Sequence, residues 1–98
     1  MIYHSTRNAA LQADSAAAVL AGLAPDGGLY MPECLPVFDA HACLRQDVLG
    51  MATMILSAFL PEIPDMAGLV KKAYTGKFAT EELTPTVAVD DFYVLELF

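Results

Sequence analysis

The first third of the chain carries two kinds of hydrophobic pattern. Residues 1–7 contain β-branched and aromatic side chains and predict a short strand. Apolar residues at helical spacing follow, and they predict a helix that begins at Asp14 or Ser15 and ends at Gly22. Proline, aspartate and glycine then stand in succession within residues 24–28. Because each of these residue types suits the dihedral angles of a turn, this segment predicts a tight turn.

Three further helices are predicted in the middle of the chain, after an apolar segment at residues 29–31 that is typical of a brief strand. Asp39, Asp47 and Asp65 each precede a stretch with helical spacing, and aspartate is a preferred N-cap residue. The helix after Asp39 is expected to be short. Gly76 is expected to end the last helix, because glycine is favoured just after a helix C-terminus.

The C-terminal segment changes to the pattern of a hairpin. Residues 86–89 and 92–98 are strand-like, and Asp90 and Asp91 lie between them. The second strand runs to Phe98 with no polar residue after it. Since an exposed apolar edge strand invites pairing with other chains, we expect the sequence to be a piece of a longer protein.

These elements predict the α+β fold class. We expect one domain over residues 1–98, because a chain of 98 residues allows one domain and not two. It should be a small domain with about three to four helices and a short sheet formed by the N-terminal strand and the C-terminal hairpin. The order in which the strands pair does not follow from the sequence.

Composition narrows the possible partners. The chain has 12 acidic and 5 basic residues and a formal net charge of −7, so it lacks the basic stripe that nucleic acids or an anionic membrane surface require. No apolar stretch is long enough to span a bilayer. Hydrophobic residues make up 56% of the chain, which indicates either an apolar face for a partner or a plain alanine-rich core.

The cysteines and the N-terminal residues indicate the cellular compartment of the protein. The N-terminal residues lack the pattern of a secretory signal. We therefore expect Cys34 and Cys43 to be free, buried thiols in a reducing compartment, and the protein to be cytoplasmic.

Candidate chemistry is sparse, and no catalytic set, cofactor site or metal site is predicted. His4, His41 and the two cysteines lack the usual spacing of zinc ligands. His4 and Ser5 are adjacent on a strand and so point to opposite faces, which argues against a hydrolase pair. The lysines stand where solvent is expected, and so does the lone acid Glu96 of the last strand.

Arg7 follows a pair of hydroxyl residues, Ser5 and Thr6. Together the three can hold an anion or a backbone turn. An exposed arginine with ordinary hydroxyl neighbours is the plainer interpretation.

Several segments resemble the threonine synthase family. The opening segment Tyr3-His4-Ser5-Thr6-Arg7 is similar to the first strand of that family, and residues 22–32 (GLAPDGGLYMP) are very like its most recognisable N-terminal run. Further matches fall in the same order at Leu35-Pro36, residues 55–59, Ala73-Tyr74, Thr84-Pro85 and residues 93–98. Asn8 departs from the pattern, since family members often have glycine there.

The resemblance implies a parent lyase that converts O-phospho-L-homoserine to L-threonine and phosphate with pyridoxal phosphate. In the family, the lysine that holds this cofactor follows the segment resembling residues 95–98, so no catalytic or cofactor-binding residue carries over to this chain. The implied partners are the remainder of the same enzyme chain and the substrate. On this basis the chain is expected to be inactive alone, with Ser5 and Arg7 close to the phosphate-bearing substrate. The alternative is a stand-alone domain that binds a protein or a ligand without catalysis.

Overall fold

The computed structural model describes residues 1–78 and 81–97. The elements are β1 (Ile2–Ser5), β2 (Gln12–Asp14), α1 (Ser15–Ala21), β3 (Tyr30–Pro32), α2 (Ala40–Leu44), α3 (Val48–Phe59), α4 (Met66–Tyr74), β4 (Thr86–Val89) and β5 (Phe92–Leu95). Phe98, where the last predicted strand ends, lies outside the described residues. Within them, the four helices lie where the sequence predicts them. The C-terminal hairpin is present as well, but its second strand ends at Leu95, before Glu96 and Leu97, and is shorter than predicted.

All four described helices begin at an aspartate N-cap, and for α1, where the sequence allowed Asp14 or Ser15, the cap is Asp14. The Asp14 carboxylate accepts a hydrogen bond of 2.8 Å from a backbone N–H of α1, and Asp47 accepts one of 2.7 Å in α3. Asp39 and Asp65 cap α2 and α4 in the same way. These bonds satisfy N–H groups that have no partner within their own helix, which fixes where each helix starts.

The strands form two sheets. β1 lies in the centre of a three-stranded antiparallel sheet with the order β2-β1-β3, and β4 pairs only with β5. The α+β class with four helices, an N-terminal strand and a C-terminal hairpin is therefore confirmed. The expected pairing of the N-terminal strand with the hairpin in one sheet is not observed. The reason is that β2 and β3, both close to β1 in sequence, occupy its two edges and close shorter loops than the hairpin would.

The core is small, and its buried apolar residues lie partly in the N-terminal sheet with α1 and partly in α2 and α4. Val70 of α4 is 1% exposed, and Met66 and Tyr3 are also buried. The Tyr3 hydroxyl donates a 2.7 Å hydrogen bond to the carbonyl of Phe59, at the end of α3, and the Phe59 ring lies 6.3 Å from that of Phe38. These contacts join the N-terminal sheet to the helical part of the chain.

The C-terminal hairpin is exposed on both faces. Every residue of β4 and β5 is exposed, although most of them are apolar. Further large apolar side chains are exposed elsewhere, among them Leu20, Leu35 and Val37. Of the two interpretations of the apolar excess, the structure therefore favours a face for a partner over a plain core.

Two sequence expectations about the surface are tested directly. Cys43 is buried and Cys34 is exposed, and both are free, so the prediction of free thiols is confirmed while the prediction that both are buried is wrong for Cys34. Cys34 lies in the irregular segment after β3, and its neighbours Glu33 and Leu35 are exposed as well. None of the helices in the described part of the chain is long and apolar enough to cross a bilayer.

An ionic contact ties the start of the chain to the loop between α3 and α4. The Glu62 carboxylate accepts hydrogen bonds from the Met1 ammonium group and from the hydroxyl of Ser15, which is fully buried. The bond from the ammonium group, followed by the bond from Ser15, lowers the pKa of Glu62 from 4.5 to about 2.

We expect this contact to make stability depend on pH. Because the pKa of Glu62 is lower in the folded state, its contribution is fully present above the unfolded pKa and is lost as the pH falls toward 2. Glu62→Gln should therefore lower the urea midpoint at pH 6, and the difference from the unsubstituted protein should shrink as the pH approaches 2. Glu33→Gln, at an exposed position, is the matched control. An equal loss for Glu62→Gln at both pH values would contradict the prediction.

Candidate functional site

The chemistry-bearing residues of the N-terminal sheet gather in one place, which we call the Arg7 cluster (Ser5, Thr6, Arg7, Asp26 and Gly28). Ser5, at the end of β1, is 5% exposed, and its hydroxyl lies 2.7 and 2.9 Å from the two carboxylate oxygens of Asp26. The backbone N–H of Gly28 donates to the same carboxylate at 2.9 Å. Asp26 thus links the end of the strand to the predicted turn.

The turn itself is as the sequence predicts. The N–H of Ala24 donates to the carbonyl of Gly28 at 2.9 Å, and the N–H of Gly27 donates to the carbonyl of Ala24 at 2.8 Å. Gly27 has a φ of +74°, a conformation that costs glycine little and other residues more. The turn therefore holds Asp26 in a defined position beside β1.

Thr6 fastens the other side of the cluster. Its N–H donates to the carbonyl of Leu29 at 2.8 Å, and its hydroxyl accepts from the N–H of Leu29 at 2.9 Å. These two bonds continue the pairing of β1 with β3 beyond the end of the strand. As a result, the backbone that leads into Arg7 is held on both sides.

Arg7 is exposed and is oriented by Asp26. Its Nη1 donates to the backbone carbonyl of Asp26 at 3.0 Å, and its backbone N–H donates to the Ser5 hydroxyl at 3.2 Å. The sequence left two roles open for this group, an anion site or a backbone turn. The structure brings Ser5, Thr6 and Arg7 together around a turn, and it leaves the guanidinium at the surface.

Hydrogen bonding keeps Asp26 ionised. The bond from the Ser5 hydroxyl, then the bond from the Gly28 N–H, lower the pKa of Asp26, and the nearby charge of Arg7 acts in the same direction. The carboxylate is thus an acceptor only, and it suits the donors that surround it.

Gly28 leaves no room for a side chain. A Cβ built on it would lie 2.2 Å from the Ser5 hydroxyl oxygen and 3.1 Å from that of Thr6. The close approach of this backbone to β1 therefore depends on glycine.

Other candidate residues do not come together. His4 Nδ1 lies 2.8 Å from the carbonyl of Ala9, so the Ser5 hydroxyl pairs with Asp26 and not with His4. No group of three or more histidine, cysteine, aspartate or glutamate residues in the described ranges is placed to hold a metal ion. Glu96, expected on the solvent side, is half-buried, and its N–H donates to the carbonyl of Pro85 at 2.9 Å.

A groove of about 350 Å³ lies between β1, α1 and β3. Tyr3, Ala18, Leu29 and Leu60 are among the residues that line it, and none of its lining residues carries a charge. An apolar groove of this kind does not suit an anionic ligand.

The sequence did not predict the long-range hydrogen bonds of two acidic residues, Asp26 and Glu62. Asp26 was assigned only to its turn, and nothing in the sequence signals that its carboxylate reaches Ser5, 21 positions away. Glu62 follows Pro61 in a loop with no motif, and its bond to Ser15 spans 47 positions.

The described residues do not form a site for pyridoxal phosphate. Lys71, Lys72 and Lys77 are exposed, and none of them lines the groove. A lysine that holds this cofactor as a Schiff base stands in a shaped or desolvated pocket, together with donors for the phosphate group. The part of the chain that the structure describes does not supply that combination.

Comparison with known proteins places this geometry in a family. Residues 2–74 match the family model described as threonine synthase N terminus. The threonine synthase of Methylobacillus glycogenes is 37% identical over 99% of this chain and 23% of its own length. For the threonine synthase of Corynebacterium glutamicum the identity is 36%, over 93% of this chain and 21% of that protein.

Solved structures give the same result. A threonine synthase from Brucella melitensis, described as bound to PLP, has a TM-score of 0.78 and 34% identity over all of this chain and 22% of its own. The threonine synthase of Escherichia coli has a TM-score of 0.73 and 30% identity, over all of this chain and 23% of its own. The chain thus spans less than a quarter of the relatives it matches, and it belongs to the threonine synthase family, where it corresponds to the N-terminal part.

Proposed function

We propose that the chain works as the N-terminal domain of a threonine synthase, within a longer polypeptide. The whole enzyme would be the lyase that converts O-phospho-L-homoserine and water to L-threonine and phosphate with pyridoxal phosphate. The observation that carries this proposal is the match of residues 2–74 to the N terminus of that family. A solved relative that is described as bound to PLP supports the cofactor.

The chain alone is proposed to be inactive. Its described lysines are exposed, and its groove carries no charged side chain that would hold an anionic cofactor. The remainder of the enzyme chain would bring the cofactor and cover the exposed apolar surface. The free thiols of Cys34 and Cys43 are in keeping with a cytoplasmic location for this enzyme.

Ser5 and Arg7 are proposed to lie close to the phosphate-bearing substrate. Arg7 has an exposed guanidinium, and arginine matches the geometry of phosphate oxygens. Ser5 is buried, and its hydroxyl is engaged by Asp26, so its part in the proposal is to support the segment that carries Arg7.

The proposal is tested by measuring phosphate release from O-phospho-L-homoserine. The native polypeptide that contains this chain, supplied with pyridoxal phosphate, should release phosphate and form threonine. The 98-residue chain under the same conditions should release none. A native polypeptide that binds the cofactor but leaves the substrate intact would contradict the assigned reaction. Turnover by the 98-residue chain would contradict the proposal that this chain is inactive without the remainder of the enzyme.

A stand-alone binding domain is the less favoured alternative. The relatives and solved structures are threonine synthases that are more than four times as long as the matched segment. The test is the molecular mass of the native protein. A mass equal to that of the 98-residue chain would favour the stand-alone binding domain.

A further inference from the structure

We infer that Asp26 is a positioning residue, which holds the Arg7 guanidinium ready to bind the phosphate group of a phosphate monoester. The inference rests on the proposed function, and it assigns to Asp26 a role beyond the turn in which it lies. The enzyme would bind two phosphate monoesters, the substrate and the cofactor, and either could be the ligand of Arg7. The experiment below distinguishes them.

Asp26 holds the Arg7 segment through two different groups. Its backbone carbonyl accepts from Arg7 Nη1 at 3.0 Å. Its carboxylate binds the Ser5 hydroxyl, which in turn accepts from the Arg7 backbone N–H at 3.2 Å. One residue therefore restrains both the backbone and the side chain of Arg7. A restraint of this kind lowers the entropy cost of binding a ligand to a long side chain.

The arrangement leaves Arg7 without a direct ion pair in the described part of the chain, although the Asp26 carboxylate is near enough for the two charges to interact. The Asp26 carboxylate faces Ser5 and the Gly28 N–H, and it is the neutral carbonyl that accepts from the guanidinium. Within residues 1–78 and 81–97, Arg7 forms no ion pair. A carboxylate close to an arginine would ordinarily be its partner, so its engagement elsewhere keeps the guanidinium available for another anion.

Charge along the sequence makes Arg7 distinctive. It is the only arginine or lysine among the first 44 residues of a chain whose net charge is −7. Among these residues, Arg7 is therefore the side chain whose permanent positive charge suits an anionic ligand. The planar guanidinium still has N–H donors beyond Nη1, and their fork matches two phosphate oxygens.

The experiment uses the native polypeptide and four variants: Arg7→Ala, Asp26→Ala, the double variant and Asp26→Asn. Charge-assisted hydrogen bonds contribute about 1.5–3 kcal/mol, so Arg7→Ala should raise KM for O-phospho-L-homoserine by roughly 10- to 100-fold, with a much smaller change in kcat. Asp26→Ala should raise KM by about tenfold. Asp26→Asn should restore most of the loss, because its amide oxygen can still accept from the Ser5 hydroxyl and from the Gly28 N–H.

The double variant tests whether Asp26 acts through Arg7. If it does, Asp26→Ala adds little to KM once Arg7 is alanine, whereas a general loss of stability would be additive. Asp39→Ala is the matched control, because Asp39 is an exposed aspartate that also accepts backbone N–H bonds and lies far along the chain. It should leave KM unchanged.

Two binding measurements distinguish the sources of the phosphate and separate this inference from the proposed function. A rise in KM, with weaker binding of inorganic phosphate by calorimetry, assigns the guanidinium to the substrate. Weaker binding of pyridoxal phosphate with KM unchanged assigns it to the cofactor. The inference is overturned if Asp26→Ala and Arg7→Ala are additive, or if neither changes any of these quantities. If the unsubstituted polypeptide does not turn over the substrate, the proposed function is contradicted. The inference about Asp26 is still tested in that case, because phosphate binding is measured without turnover.

Discussion

Val70→Asp should destabilise the protein by roughly 3–5 kcal/mol, the range found when a charge is left buried without a partner. Val70 lies in α4 with only 1% of its surface exposed. A carboxylate at this position would lose its hydration inside a helix that packs against α3. The midpoint of urea unfolding, followed by circular dichroism, measures the loss. Since small domains have little stability to spare, the variant should be largely unfolded at 37 °C.

The neighbouring position provides the matched control. Leu69 lies one residue earlier in α4 and is 45% exposed, so Leu69→Asp introduces the same charge into the same helix at the surface. It should cost about 1 kcal/mol or less, as surface substitutions usually do. Equal losses for the two variants would mean that Val70 is not part of the core.

Gly28→Ala is expected to have the next largest effect on stability, a loss of about 1–3 kcal/mol. The added Cβ would lie 2.2 Å from the Ser5 hydroxyl oxygen, and Ser5 is buried. To make room, the Ser5 side chain must rotate and give up its bonds to Asp26, or the turn must move away from β1. For a domain of this size, thermal unfolding should shift down by roughly 4–8 °C per kcal/mol.

Gly50→Ala is the control for the loss of a glycine. A Cβ on Gly50 would lie 2.9 Å from the end of the Gln46 side chain and 3.1 Å from the Asp47 carboxylate, and both belong to exposed side chains that can shift. Alanine also favours a helix over glycine by about 1 kcal/mol, so this variant should be neutral or slightly more stable. A Gly28→Ala protein as stable as the Gly50→Ala protein would show that the close approach at Gly28 is not needed.

Local chemistry explains what the sequence predicted correctly. The four helices begin where an aspartate can accept a backbone hydrogen bond, and such caps act within three residues. The turn at residues 24–28 is likewise determined by its own proline, aspartate and glycines. The hairpin turn at Asp90 and Asp91 follows from the apolar strands on either side of it.

Non-local pairing accounts for what the sequence did not predict. β2, from Gln12 to Asp14, is three residues long, has no strand pattern of its own and exists because β1 offers it an edge. The same pairing removes the edge that the hairpin was expected to use. At the candidate site, Ser5 and Arg7 were proposed from their neighbours and the family resemblance, whereas the hydrogen bonds of Asp26 to both residues became visible only in the fold.

The bond between Tyr3 and Phe59 has a consequence for the order of folding. The two residues are 56 positions apart, and the contact between Met1 and Glu62 spans 61. β1, β2, α1 and β3 need only the first 32 residues to pair, whereas the outer end of β1 is held only after α3 and the following loop have been synthesised. Closing a loop of this length is slow compared with local pairing. We therefore expect β1 to pair with β2 and β3 first, and the contacts of Tyr3 with Phe59 and of Met1 with Glu62 to form later.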